Sequence, residues 1–302
     1  MTTTANRAGL RDAGRWRWIT LAPAAAIYLG LALIPIANLV VMSVHEIRWA
    51  EGVSRWTAIG LRHYRELLGD PLFAAGLRNT ALFAVLAVGA EMVLGFFLAL
   101  WVSRAGRGQV VYRTLFLLPV LLPGIVIGAI WKLMYNADFG VVNQLLGLVG
   151  LPGRDWLGDR LLAFASIVVV DVWHWTPFVF LLLLAGLQSQ PADVYEAAKV
   201  DGAGPWAELR YVTLPMMLPT IAVTLAFRLI VSFKVFDEVY LLTGGGPGTA
   251  TEVVSFTIYR RFFTEDREGY GSAISVVVLF LLALTIVLAF AAARRVRDRS
   301  LR

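Results

Sequence analysis

Six apolar stretches, each close to the length that crosses a hydrocarbon layer about 30 Å thick, constrain this chain more than any other feature. They cover roughly 18–44, 80–102, 114–135, 161–187, 212–236 and 271–293. In lipid every backbone N–H and C=O must be satisfied internally, so such stretches are helical. The 302 residues are 58% hydrophobic and 16% charged, against a norm of about half apolar and a quarter charged for water-soluble domains. The expected fold is all-α, a polytopic membrane protein with six transmembrane helices. Pro119, Pro123, Pro177 and Pro219 fall inside spans and predict kinked, packed helices, because neighbouring groups satisfy the carbonyls that proline frees.

The first stretch follows Arg7, Arg11, Arg15 and Arg17, as in a secretory leader. Its apolar run is too long for a leader and contains Pro23 and Pro35, so it reads as a span. Arginines in short loops set orientation. They gather in the tail 1–17, in the loop Arg104 to Arg113 and in the tail 294–302, with Arg294, Arg295, Arg297, Arg299 and Arg302. With six spans all three lie on one side, the cytoplasm, and the membrane domain occupies 18–293. The loops 46–78, 136–160 and 238–270 mix both signs and face outward. The net charge of +6 therefore reads as membrane orientation, and no soluble basic domain is present to bind nucleic acid. Without cysteine there is no disulfide or thiolate metal site, and no histidine pair has ligand spacing.

The remaining inner loop, 188–211, carries Lys199 and Arg210 against Asp193, Glu196, Asp201 and Glu208, so its charge serves a partner surface better than orientation. Pro191 suits a first helical position, good helix formers follow to Asp201, and Gly202 suits a left-handed cap. Gly204 and Pro205 allow a sharp turn and a second helix leading through Trp206 and Leu209 to Leu214 and Pro215. The pattern predicts a helix-turn-helix on the bilayer surface.

Glu196-Ala197-Ala198, then Asp201-Gly202-Ala203, then Thr213-Leu214-Pro215 resembles the EAA loop of binding-protein-dependent ABC importer permeases. The likeness extends to 115–123, to Asp171-Val172-Trp173-His174-Trp175-Thr176-Pro177-Phe178, and to Phe236-Asp237-Glu238-Val239-Tyr240 running into Thr243-Gly244-Gly245-Gly246-Pro247. Together these resemble the carbohydrate and glycerol-phosphate branch. The resemblance implies the type I importer permease fold, with Glu196, Ala197, Ala198, Asp201, Gly202, Leu214 and Pro215 coupling the chain to an ATPase. It implies a second homologous permease, two ATPase subunits that hold ATP and Mg, an extracytoplasmic solute-binding protein and a sugar-like solute. It also implies a bacterial or archaeal cytoplasmic membrane. The chain itself is expected to bind no cofactor and to catalyse nothing; no lysine follows Gly244 to Gly246 at phosphate-loop spacing.

Ionisable groups inside spans face partners or cavities. Glu91 and Arg228 lie near the middle of the second and fifth spans and suit a structural pair. Asp171, Trp173, Trp175 and Phe178 offer a carboxylate and aromatic faces fit for a sugar, though tryptophans equally suit the interfacial belt. Helical spacing puts Asp171, Trp175 and Phe178 on one side and Trp173 on another. The resemblance adds Ser232 and Asp237 to this candidate solute path. An ion-coupled transporter would call for repeated halves, and a membrane enzyme for a catalytic constellation; the sequence displays neither.

Overall fold

The computed structural model describes residues 5–104 and 109–300. Arg107 and Arg302 lie outside the described residues, as do the side chains of Arg7, Arg11, Arg15, Arg17, Arg113 and the arginines from 294 onward. Helix α1 (Ala5–Ser43) leads into an antiparallel pair, β1 (His45–Ala50) and β2 (Val53–Ala58). Then come α2 (Arg62–Leu68), α3 (Pro71–Arg104), α4 (Gln109–Leu117), α5 (Gly124–Met134), α6 (Val141–Leu148) and α7 (Arg160–Gln188). The chain continues with α8 (Ala192–Val200), α9 (Pro205–Ala207), α10 (Leu214–Ser232), α11 (Asp237–Leu242), α12 (Val254–Tyr259) and α13 (Glu268–Ser300).

Among the described residues five helical stretches are long and apolar enough to cross a membrane: Thr20–Ser43, Pro71–Arg104, Arg160–Gln188, Pro205–Leu242 and Glu268–Leu288. The third expected span, 114–135, is not one rod. It consists of Thr114–Leu121 and Gly124–Met134, bent by 96°. The break has a local cause: Pro119 and Pro123 lack amide protons, and Leu122, held extended at φ −83° and ψ 134°, precedes a proline ring that disfavours the α region. The fifth expected span, 212–236, begins earlier and its helix stops at Ser232. In the stretch expected to be an outward-facing loop of mixed charge, 46–78, β1 and β2 form a hairpin. Glu51 and Gly52, at φ 54° and 77°, make the two-residue turn, and Ala50 pairs with Val53.

Helix starts follow their capping residues. The Asp70 carboxylate accepts from Leu72 N at 2.8 Å before α3, and Asp159 accepts from Leu161 N and Leu162 N at 2.9 Å before α7.

The chain forms two compact units. The larger, 69–260 with 278–302, is built on the packing of α3 against α7. One apolar cluster holds Phe83, Ala87, Ile127, Ile167, Val170 and Val239; a second holds Ala99, Val102, Val179, Phe180, Leu183 and Met217. Elsewhere apolar side chains face outward, as with Leu31 and Ile34 of α1 at 72% and 71% exposure, which is what a helix solvated by lipid needs.

The smaller unit, 1–68 with 261–277, carries the hairpin. Arg267 Nη2 donates to Glu66 at 2.6 Å, Trp49 Nε1 donates to Glu268 at 2.5 Å, and buried His63 places Nε2 3.2 Å from the His45 carbonyl oxygen. Burial holds the His63 imidazole below the ordinary histidine range, partly offset by that contact. The folded unit therefore keeps His63 neutral, and below the unfolded value of about 6.5 the unfolded chain takes up the proton more readily. Stability supplied by His63 is complete above about pH 6.5 and declines as pH falls. Hydrogen exchange in β1, β2 and α2 is expected to quicken from pH 7 to pH 5 after correction for intrinsic rates, and a His63→Gln chain is expected to lose this dependence.

Candidate functional site

Helix α8 starts after Pro191, which takes the position before the first helical residue instead of the first turn. Asp193 in the first turn and Lys199 in the last complement the helix dipole. At its end Gly202 adopts φ +79°, Gly202 N donates to Lys199 O at 3.0 Å, and Ala203 N donates to Ala198 O at 2.9 Å. This pair of bonds is a Schellman cap, and it depends on a residue free to enter the left-handed region. Glu196, Ala197, Asp201 and Gly202 are all exposed.

The chain then turns at Gly204 and Pro205 and runs through α9 and a π-helical turn, Glu208–Thr213, straight into α10. The helical path from Pro205 to Ser232 is unbroken, with Leu214 and Pro215 exposed near its start. Val200, Trp206 and Tyr211 are 87%, 71% and 72% exposed, an apolar presentation that a polar loop does not need for its own folding. Arg104 Nη2, at the end of α3, reaches Glu208 Oε1 at 3.4 Å.

Fourteen residues beyond Leu214 on the same helix, Arg228 lies fully buried. Its Nε donates to Glu91 Oε2 at 2.5 Å, and its Nη2 donates to Glu91 Oε1 at 2.6 Å and to Asp171 Oδ2 at 2.8 Å. One guanidinium thus fastens α3, α7 and α10. Its flat face lies 4.6 Å from the Trp175 ring centroid, a cation–π contact, and Phe178 packs edge-on to Trp175 at 5.9 Å and against Phe227 at 4.9 Å. Arg228 Nη1 has no hydrogen-bond partner among the described residues.

Glu91, Arg228, Asp171, Trp175 and Phe178 are therefore one cluster. The Asp171 carboxylate and the Trp175 ring are both engaged by Arg228. Trp173 points elsewhere, 41% exposed and edge-on to Trp131 at 5.6 Å. The Ser232 hydroxyl donates to Leu229 O of its own helix at 3.0 Å. Asp237 lies at the break after α10, where its carboxylate approaches Gly124 so closely that a Cβ there would sit 2.6 Å from Oδ2. A glycine opening α5 is what admits this contact.

Sequence reasoning missed Glu238. His174 shares a face with Asp171, and its Nδ1 lies 3.6 Å from the buried Glu238 Oε1. The three-residue spacing of Asp171 and His174 was a readable signal, but Glu238 arrives from another element.

Removing one partner of a buried ion pair leaves an uncompensated charge and costs about 3–5 kcal/mol, while replacing all partners with apolar groups is often nearly neutral. Arg228→Met is accordingly expected to destabilise the folded chain by about 3–5 kcal/mol. Combining it with Glu91→Leu and Asp171→Leu is expected to restore most of that loss. Unfolding in detergent checks both, with destabilisation no smaller in the triple variant as the contrary result.

The family described as binding-protein-dependent transport system inner membrane component matches residues 91–299. The trehalose/maltose transport system permease protein MalF of Thermococcus litoralis is 37% identical over 271 residues, covering 89% of this chain and 91% of that protein. The trehalose transport system permease protein SugA of Mycobacterium tuberculosis is 34% identical over 284 residues, covering 94% and 90%. A chain of a bacterial alginate ABC transporter, crystallised with an alginate pentasaccharide-bound periplasmic protein, superposes with a TM-score of 0.81 over 95% of this chain and 97% of that one. It is 23% identical, so the likeness is one of fold.

Proposed function

The chain belongs to the family of binding-protein-dependent transport system inner membrane components and is a transport subunit of the membrane, not an enzyme; from that premise we propose that it is the permease of an ATP-driven sugar importer. Relatives named for trehalose and maltose transport support a saccharide or related polyol as cargo. In this reading a second homologous permease, two ATPase subunits and an extracytoplasmic solute-binding protein complete the assembly. ATP and Mg reside on the ATPases. Loop 188–211 and both termini lie in the cytoplasm, and the solute passes by alternating access.

The observation that supports coupling best is the exposed, glycine-capped helix α8 joined to an unbroken helical path that ends at the Arg228 cluster. A partner cleft that grips Glu196, Ala197 and Ala198 and shifts them moves the start of α10. Because Arg228 fastens α10 to α3 and α7, those three helices travel as one body. The breaks before α5 and before α11 are where such a motion is absorbed, since a bent chain changes its dihedral angles at less cost than a packed helix.

Reconstitution of the whole complex in vesicles tests this. Uptake of maltose or trehalose is expected to require both ATP and the loaded binding protein, and uptake driven by an ion gradient without ATP would contradict the reading. Glu196→Lys reverses the charge presented to the ATPase, and Gly202→Asp forces a side chain into left-handed geometry at a cost of roughly 1–2 kcal/mol. Both chains are expected to insert and assemble while losing uptake coupled to ATP hydrolysis. Coupled uptake at the unsubstituted rate in both would remove the loop from this role.

A further inference from the structure

Four aromatic rings gather just past the break that ends α10. Phe236 and Tyr240, four residues apart, stack with centroids 5.4 Å apart and planes inclined by 18°. Tyr259 meets Phe236 at 5.1 Å and Tyr240 edge-on at 5.6 Å, and Phe256 closes the group 6.2 Å from both Phe236 and Tyr259. The Ser255 hydroxyl donates to the Val235 carbonyl and so ties α12 to the break. Arg260 stands 5.7 Å over the Phe256 ring and pairs with buried Glu252 at 3.2 Å, which fixes the far side of the group.

Burial is graded across the four. Phe256 is 7% exposed and anchors the cluster, Phe236 and Tyr259 are half-buried, and Tyr240 is 42% exposed. The neighbouring Tyr240 hydroxyl holds Tyr259 above the ordinary tyrosine range. On the same stretch of chain Lys234 is exposed and Asp237 half-buried. The combination is a rigid apolar floor with two phenolic oxygens and both signs of charge nearby. A pyranose ring presents one face of C–H groups, encircled by hydroxyls that donate and accept, and such a surface matches it on both counts. The rings of α7 are already engaged, Trp175 by Arg228 and Phe178 by Phe227.

We propose that Phe236, Tyr240 and Tyr259 form a stacking platform for one pyranose ring of the transported saccharide, separate from the Arg228 cluster. The proposal rests on the sugar-importer reading and adds where on this chain the sugar is held. It predicts that the exposed ring face of Tyr240 matters more than its hydroxyl, and that transport is impaired without harm to the engine.

The test uses the complete complex in vesicles, with maltose, maltotriose and trehalose as probes and binding protein in saturating excess. Tyr240→Ala is expected to lower the uptake rate of the transported probe about three- to tenfold, the range that an aromatic contact of this kind supports. Tyr240→Phe is expected to stay within about twofold of the unsubstituted chain, and ATP hydrolysis stimulated by the loaded binding protein is expected to be unchanged in both. Uptake by Tyr240→Ala at the unsubstituted rate would overturn the platform, as would joint loss of uptake and stimulated hydrolysis, which marks a structural role. If the unsubstituted complex carries none of the three probes, the sugar reading falls and the platform with it.

Discussion

A single guanidinium, withdrawn wholly from water, is the interaction on which the larger unit depends. Arg228 is hydrogen-bonded to Glu91 and Asp171, and those three residues come from α10, α3 and α7. Charge inside a bilayer is tolerated only where it is paired and hydrogen-bonded, so none of the three helices separates from the others without exposing an uncompensated ion to a medium of low dielectric constant. Apolar packing in lipid lacks this specificity, because lipid tails solvate leucine as well as another helix does. The ion cluster fixes which helices meet and at what depth.

In the proposed coupling, that constraint gives the loop 188–211 its leverage. From Pro205 onward the backbone is helical through to Ser232, so Arg228 and the turn that follows α8 are joined by one continuous helical path. Beyond Ser232 the regularity ends, α11 starts afresh, and its first residue, Asp237, rests on the glycine that opens α5. Rigid and broken elements are thus segregated. Helices held by arginine form the body, and the breaks lie just before α5, at Pro119 to Pro123, and just before α11, at 233–236. The aromatic group around Tyr240 follows directly on the second break.

Much of this arrangement was legible before any coordinates. Long apolar runs declare spans because hydrocarbon admits little else, and the loop around Glu196 could be placed by its proline, its helix formers and Gly202. Glu91 and Arg228 stood out as costly groups at matching depth. What stayed hidden depended on contacts between distant elements. Pro119 and Pro123 announced a kink, but not that the two halves would part by 96°. That Asp171 accepts from Arg228 stayed hidden because the arginine lies 57 residues away in sequence. The hairpin escaped because its residues mix charge with tryptophan, although two short runs around Glu51-Gly52 carried the signal of a two-residue turn.

The central claim is that α3, α7 and α10 move as one body while α5 shifts against them. The chain has no cysteine, so spin labels can be placed at chosen pairs without background. Val93 on α3, Val223 on α10 and Ile130 on α5 are 55%, 58% and 44% exposed, which makes them suitable positions. In the assembled complex, the distance between labels at Val93→Cys and Val223→Cys is predicted to be the same without nucleotide and with ATP trapped on the ATPases. The distance between Val223→Cys and Ile130→Cys is predicted to change. A shift in the first pair with the second unchanged would contradict the account.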